Sequence, residues 1–414
     1  MDVQIDRIGA LGDGIAETQT GPIYIPDALP GEQVRIKKII PRGDGARAVT
    51  RDILVSSQDR VTPSCPHFGI CGGCVAQHME TGLYTDWKGD LVGTPLRRAG
   101  LDAVVRAPIT VPRGSRRRVR LAFREVQGDF LLGFRRMLSD RIVNLDDCTV
   151  ATSALVELLP ALKDFLYRFG KRGEVSVTET DNGFDIVGFV DEEPSLDLRM
   201  DAPKICEVLG ICRLSWAGSD RQPEPILVAA EPLVRFGDTS VKIPPASFLQ
   251  PTIAGELKLR NLVLNATEQS NTVADLYAGC GAFSLPLAAA GKSVHAVEAV
   301  ASQTAAIRKA GGHRGITTET RDLSRQPLRV AELERFDAVV IDPPRAGAAQ
   351  QIAQIATSSV PLIIYVSCNP ATFARDARVL TNDGFEMGAV QPVDQFLWSY
   401  HVELAAVFRR GYVS

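Results

Sequence analysis

The chain has 414 residues, 45% of them hydrophobic and 23% charged, and its 46 Lys and Arg against 49 Asp and Glu leave a net charge of −3. That composition excludes wholesale disorder and a collagen-like fibre, and the length suits two to three domains. Global charge gives no sign of a polyanion partner, so any such partner has to be met by a local basic patch.

No apolar stretch is both long enough and free enough of Gly to span a bilayer, and the first residues, MDVQIDRIGA, hold two Asp and no apolar core of a signal peptide. A soluble, cytoplasmic protein with no membrane partner is expected.

Residues 1–60 carry short runs rich in Val and Ile (VQIDRIG, PIYIPDALPGEQVRIKKII, ARAVTRDILV), separated by the turn signals GDG, PGE and RGDG. Strands at this spacing predict a small β-barrel. Such a module either only packs or binds single-stranded nucleic acid.

Residues 61–76 contain Cys65-Pro-His-Phe-Gly-Ile-Cys71-Gly-Gly-Cys74. Three thiolates on a Gly-lined loop can converge on one centre. Cys148, after a strand and a polar turn, is the best fourth candidate. In a cytosolic chain of this size, cysteines point to metal binding or catalysis rather than to disulfides. Structural zinc prefers two paired Cys arms. One compact triad with a distant fourth Cys is closer to cubane iron–sulfur ligation, zinc and unliganded thiols being the alternatives. Cys206 and Cys212 read as buried small hydrophobes.

Residues 77–100 set Leu83, Trp87, Leu91 and Leu96 at near-helical spacing despite Gly89, Gly93 and Pro95. From 108 to 247 the pattern is strand-rich (VRLAFREV, FLLGFRR, RIVNL, EVSVTET, FDIVGFV, CRLSW, PILVAA). One helix, SALVELLPALKDFLYRF, interrupts this mixed α+β central region. Arg113, Arg116, Arg117, Arg118, Arg120 and Arg124 crowd one segment. Strand alternation would set Arg116, Arg118 and Arg120 on one side, as a solvated face or as a phosphate track for RNA. Phe123 and Phe134 fit base stacking or core packing equally.

From about 250, the apolar runs TVADLYAG, SVHAVEA, FDAVVIDPP and PLIIYVSCNP alternate with helical segments, which predicts parallel βαβ units. The segment DLYAGCGAF ends a strand and opens a helix, and Gly279 and Gly281 permit close backbone approach to a ligand. Glu298 ends the next strand, where a carboxylate grips ribose hydroxyls. Asp322 is placed to cap an adenine edge. A dinucleotide fingerprint would want a third Gly where Ser284 stands, so the D-x-x-x-G-x-G form points instead to a class I S-adenosylmethionine site in a Rossmann-like domain. Asp342-Pro343-Pro344-Arg345 puts an acid at a strand edge stiffened by two prolines. Cys368, delivered by the end of another strand before Asn369-Pro370, is a candidate nucleophile.

Together C-x5-C-G-G-C, DLYAGCGAFSLPLA, DPPRAG, YVSCNP and His401-Val402-Glu403 resemble the RNA (uracil-5-)-methyltransferase family, most of all its iron–sulfur branch acting on 23S ribosomal RNA. The segment GDGIA…IYIPDALPGEQV resembles a TRAM domain, an OB-type RNA-binding barrel. The resemblance implies a multidomain α/β protein with a TRAM barrel at 1–60. A central domain with the cluster would span 61–76 and 108–247, and a methyltransferase domain 77–107 and 248–414. It implies a [4Fe-4S] cluster on Cys65, Cys71, Cys74 and Cys148. Gln250, Tyr277, Gly279, Ala282, Glu298, Asp322 and Asp342 would contact S-adenosylmethionine. Position 282 is often Asn in the family, so Ala282 offers only backbone there. Cys368 would be the nucleophile and Glu403 the base, the other reading of Glu403 being an ion pair on a C-terminal strand. The implied reaction is methylation at C5 of a flipped-out uridine through a Cys–C6 adduct, by a monomer acting on ribosomal RNA. The same chemistry on transfer RNA, and a non-catalytic iron–sulfur RNA-binding protein, are the alternatives. The transfer RNA branch typically lacks both the TRAM domain and the Cys cluster.

Overall fold

The structure is a computed structural model in which residues 1–218 and 222–411 are described. Its first sheet has six strands in the order Asp2–Gln4, Gln33–Arg42, Gly45–Val55, Ile23–Ile25, Gly14–Ala16, Arg7–Ile8. Period-2 alternation turns Ile23, Ile25, Val34 and Ile36 into one small core.

Residues beyond this sheet run without regular structure through the cysteine loop to the helix Thr81–Arg98. The Glu80 side chain caps that helix by accepting from the Gly82 N–H. Tyr84, Trp87, Lys88, Val92 and Leu96 lie buried along it at helical spacing, and Gly89, Gly93 and Pro95 are all within it. Trp87 Nε1 donates to the Gly9 carbonyl at 3.0 Å, while Lys88 Nζ donates to the His401 carbonyl at 2.6 Å. One helix therefore ties the first sheet to the far C-terminal region.

The central sheet runs in the order Glu224–Val228, Ile211–Ala217, Gly183–Phe189, Arg172–Thr180, Arg118–Val126, Asp129–Gly133. The helix Ser153–Leu166 packs on it, as the sequence predicts. A second helix, Leu196–Leu209, also packs there. Its periodicity is blurred because Leu196, Met200 and Val208 are solvent-exposed while Leu198, Ala202 and Cys206 face the core. RIVNL forms no strand beyond an isolated bridge between Arg135 and Ile142. Cys206 and Cys212 are buried, as expected of small hydrophobes. Phe123 is a core residue, and Phe134 packs half-buried against the same core.

The C-terminal sheet has the order Ile316–Thr320, Ser293–Glu298, Thr272–Leu276, Ala338–Ile341, Leu362–Ser367, Glu403–Arg410, Gln391–Asp394, Ile109–Thr110, with Phe385–Met387 also paired to Glu403–Arg410. The first five strands are parallel, and Glu403–Arg410 runs antiparallel to both its neighbours. Strand order reverses between Thr272–Leu276 and Ala338–Ile341, and the crevice outside the C-terminal strand ends at such a switch point is where ligands bind in open α/β sheets. Ile109–Thr110, which the sequence places in the central domain, is the edge strand here. The hairpin Leu233–Phe236 with Thr239–Lys242 sends Val234, Phe236 and Val241 into the same core as the C-terminal sheet. Among the described residues no helix is long and apolar enough to cross a membrane.

Candidate active site

The strand Thr272–Leu276 carries Asp275 to its C-terminal end, fully buried, where it accepts from the Ser284 hydroxyl. Burial pushes its carboxyl up to about 7. The chain then turns through left-handed backbone at Tyr277 (φ 62°), Gly279 (φ 54°) and Gly281 (φ 95°). At Gly281 a Cβ would also meet Leu285 at 3.0 Å and Ile307 at 3.1 Å, so glycine suits both the backbone and the space.

Glu298, at the end of the adjacent strand, fastens this turn. Its Oε2 accepts from the Gly279 N–H and its Oε1 from the Val300 N–H, each at 3.0 Å. Asp322 is exposed beyond the third parallel strand, and hydrogen bonds from Ser324 hold its carboxyl below the usual range. Ala282 is half-buried against the core. Tyr277, Gly279, Glu298 and Asp322 thus stand along successive strand ends, as the sequence reading places them.

Across the switch point, Asp342 follows Ala338–Ile341. Gln250 Nε2 donates to its Oδ2 at 3.4 Å. Gln395 Nε2 then donates to Gln250 Oε1 at 2.6 Å and to Glu403 Oε2 at 3.1 Å. One chain of amides therefore joins Asp342 to Glu403. Burial, with the neighbouring Asp275 charge, pushes Asp342 up to about 7. Burial and the Asp342 charge push Glu403 up to about 8, against the Gln395 hydrogen bond. Cys368, half-buried after Leu362–Ser367, is pushed up to about 11 by burial and by the facing Glu403 and Asp342, with Arg345 opposing. Glu403 meets an amide, and among the described residues it forms no ion pair. Cys280 is buried beside the cofactor turn and serves as packing.

Sequence reasoning missed Gln395 and the group that holds its loop. Lys88 Nζ lies 2.7 Å from Asp394 Oδ1, the Tyr84 hydroxyl donates to Asp394 Oδ2, and the Trp398 N–H donates to the Tyr84 oxygen at 2.8 Å. Tyr84 and Lys88 sit on an ordinary amphipathic helix, and their hold on Asp394 becomes visible only once the C-terminal strands pair, with Val393 opposite Glu403.

Cys65, Cys71, Cys74 and Cys148 lie in one neighbourhood. Each of the other three helps raise Cys74, which burial pushes up to about 12, and Cys65 and Cys148 act likewise on Cys71. As placed, no three His, Cys, Asp or Glu side chains among the described residues form a metal-holding group. The expected cluster thus rests on the chemistry of the donors and not on a closed ligand geometry. The arginine row also differs from a simple alternating face. Arg116 precedes the strand, faces Cys74, Cys148 and Asp394, and lies 5.7 Å from the Phe396 ring. Arg118 sits over Phe248 at 5.8 Å, and Arg120 is paired to Glu174 at 2.6 Å. Arg117, pointing the other way, bonds the Gln250 carbonyl at 3.2 Å and Glu256 at 2.6 Å, which joins the central sheet to the site.

Comparison with known proteins gives a family model described as tRNA (uracil-5-)-methyltransferase, matching residues 238–410. The chain is 42% identical to an uncharacterized RNA methyltransferase of Caulobacter vibrioides, over 99% of this chain and 100% of that one. It is 31% identical to the 23S rRNA (uracil(1939)-C(5))-methyltransferase RlmD of Yersinia enterocolitica, over 99% and 95%. In fold it is similar to the tRNA (uracil-54, C5)-methyltransferase of Pyrococcus abyssi, solved with S-adenosyl-L-homocysteine, with a TM-score of 0.77 at 22% identity over 99% of both chains.

Proposed function

We propose, from the fact that this chain belongs to the RNA (uracil-5-)-methyltransferase family, that it methylates C5 of one uridine in 23S ribosomal RNA through a covalent adduct on Cys368. Its activity as an S-adenosylmethionine-dependent RNA methyltransferase is the family's. The observation that carries the finer reading is the grouping of Cys368, Glu403 and Asp342, with Gln250, at one end of the C-terminal sheet.

When bound, S-adenosylmethionine supplies an electrophilic methyl group. Tyr277, Gly279, Ala282, Glu298 and Asp322 would line its nucleoside side, and Gln250 and Asp342 its reactive side. Cys368 as thiolate adds to C6 of uracil, which makes C5 nucleophilic. Once C5 is methylated, Glu403 removes the C5 proton, the C5–C6 double bond re-forms and the C6–S bond breaks. The base reaches these groups only if it leaves its stack. Arg116, Arg118, Arg120 and the N-terminal sheet, read as a TRAM barrel, would guide the RNA. The enzyme is read as a cytoplasmic monomer, with domains at 1–60, at 61–76 with 108–247, and at 77–107 with 248–414, save that the strand Ile109–Thr110 and the hairpin from Leu233 to Lys242 join the last of these.

Ribosomal RNA is favoured by the 31% identity to the 23S enzyme along nearly the whole chain. Transfer RNA is the second reading. The transfer RNA enzyme of Pyrococcus abyssi matches this fold over 99% of both chains, so architecture does not separate the two substrates. Mapping 5-methyluridine in 23S and transfer RNA from a strain lacking this protein decides. Loss of one 23S site is expected, and loss confined to transfer RNA would replace the ribosomal reading.

Cys65, Cys71, Cys74 and Cys148 would hold a [4Fe-4S] cluster that supports the loop, and no catalytic step runs through it. Four thiols in one neighbourhood are the donor set that such a cluster takes. Protein purified without oxygen is expected to be brown, with iron and sulfide in equal amounts, and Cys74→Ser to lose the colour. A colourless protein loaded with zinc would replace the cluster by a zinc site.

A further inference from the structure

We infer that Gln395 is a positioning residue for the proton-removing step, its amide holding one oxygen of Glu403 so that the other receives the C5 proton. The inference rests on the Cys368–Glu403 reading above and extends it to a residue outside the family motifs that identified the site.

The geometry is directional. A carboxamide –NH2 has two hydrogens, and Gln395 directs them to Gln250 Oε1 at 2.6 Å and Glu403 Oε2 at 3.1 Å. Gln250 in turn spends its own –NH2 on Asp342 Oδ2. Both carboxyls at the ends of this chain are therefore acceptors, and Glu403 Oε1 is left to take a proton. Gln395 is 1% exposed and Glu403 3% exposed, so water does not replace the amide.

The other end of the Gln395 amide supports a functional role. Its Oε1 is buried with no hydrogen-bond partner among the described residues. An uncompensated buried acceptor is destabilising, and an apolar side chain of similar length would avoid it. What the amide offers its surroundings is therefore its –NH2, which reaches Gln250 and Glu403. The groups facing Glu403 are Asp342 beyond Ala338–Ile341, Cys368 beyond Leu362–Ser367 and Gln395 beyond Gln391–Asp394. Only Gln395 among them favours the ionised carboxylate that a base requires.

The position of Gln395 is held from behind. Lys88 and Tyr84 grip the adjacent Asp394, and Lys88 also bonds the carbonyls of Phe396 at 3.3 Å and His401 at 2.6 Å. The loop between Gln395 and Glu403 is thereby fixed at both ends.

The test uses full-length enzyme purified without oxygen and a 23S ribosomal RNA transcript, with Gln395→Met and Gln395→Glu as variants. In the expected result, Gln395→Met folds cooperatively with a somewhat lowered thermal midpoint, since Gln250 Oε1 and Glu403 Oε2 lose a donor, and forms the denaturant-resistant protein–RNA adduct at the parent rate. It then resolves the methylated adduct about tenfold or more slowly, the lower end of general-base effects. The acid limb of that resolution moves to higher pH, because Glu403 has lost the hydrogen bond that favours its ionised form. Gln395→Glu, which adds a like charge, moves the limb further the same way and serves where the Met variant does not fold. Resolution at the parent rate with an unmoved pH profile overturns the proposal. So does a variant that folds but forms no adduct, since Gln395 would then act before Glu403. If the parent enzyme traps neither 23S nor transfer RNA carrying 5-fluorouridine, the Cys368 reading fails and the proposal falls with it, an outcome distinct from the other two.

Discussion

Cys368→Ala is expected to abolish 5-methyluridine formation, by roughly 10^4-fold or more, the scale on which enzymes lose activity when a covalent nucleophile is removed. Uracil C5 is a poor nucleophile, and the adduct at C6 is what creates charge there. Without the sulfur, correct placement of both substrates leaves the chemical barrier in place. With RNA carrying 5-fluorouridine the parent enzyme is expected to form a stable adduct, because fluorine stands where Glu403 would find a proton. Cys368→Ala should form none. Trapping by that variant would assign the nucleophile elsewhere, and Cys280, beside the cofactor turn, is buried in packing. The pH dependence follows from the surroundings of the thiol. Burial, Glu403 and Asp342 push Cys368 up to about 11, and Arg345 only partly opposes them. The reactive form is the thiolate, so adduct formation should rise with pH through the neutral range and beyond. A rate that is already level at pH 7 would mean that bound RNA or cofactor has lowered this thiol far below its value in the free protein.

Much of this site can be read before any coordinates exist, for reasons particular residues make plain. Parallel strands buried on both faces read as continuous apolar runs, so Ala338–Ile341 and Leu362–Ser367 announce themselves, and so do Asp342 and Cys368 just beyond them. The position of Glu298 is legible because an apolar run precedes it, whereas its bonds to the Gly279 and Val300 N–H groups are not. Other features depend on contacts that no local pattern carries. Gln395 meets Gln250 from 145 positions away, and Tyr84 meets Asp394 from 310 away. Lys88 looks like a solvated helix residue and is instead fully buried against Asp394. The arginine row misleads for a different reason. Alternation holds only inside a strand, and the strand begins at Arg118, so Arg116 is free to turn toward Cys74 and Cys148. The helix Leu196–Leu209 hides because apolar residues lie on both of its faces.

Glu403→Gln separates the two halves of the reaction, and this is what gives it weight. Methyl transfer needs Cys368 and the cofactor site, both left intact. Resolution needs a base at C5, and a carboxamide cannot serve as one. Turnover is expected to fall by about 10^2- to 10^4-fold, while a methylated protein–RNA adduct accumulates and can be seen on a denaturing gel with ordinary uridine. The substitution is mild for the fold, since the new carbonyl oxygen can still accept from Gln395 Nε2. It also removes a buried carboxyl that faces Asp342, so the variant should not be less stable near neutral pH. In the parent enzyme Glu403 is pushed up to about 8 by burial and Asp342. A base works when ionised, so resolution should weaken as pH falls through that region. The same elevation makes Glu403 a stronger proton acceptor once ionised than an exposed carboxylate would be, which suits removal of a carbon-bound proton. An ion-pair role predicts the reverse pattern: Glu403→Gln would lose stability, keep its turnover per folded molecule and accumulate no adduct. Because the carboxylate meets the Gln395 amide and not a cation, accumulation of the methylated adduct is the result the structure leads us to expect.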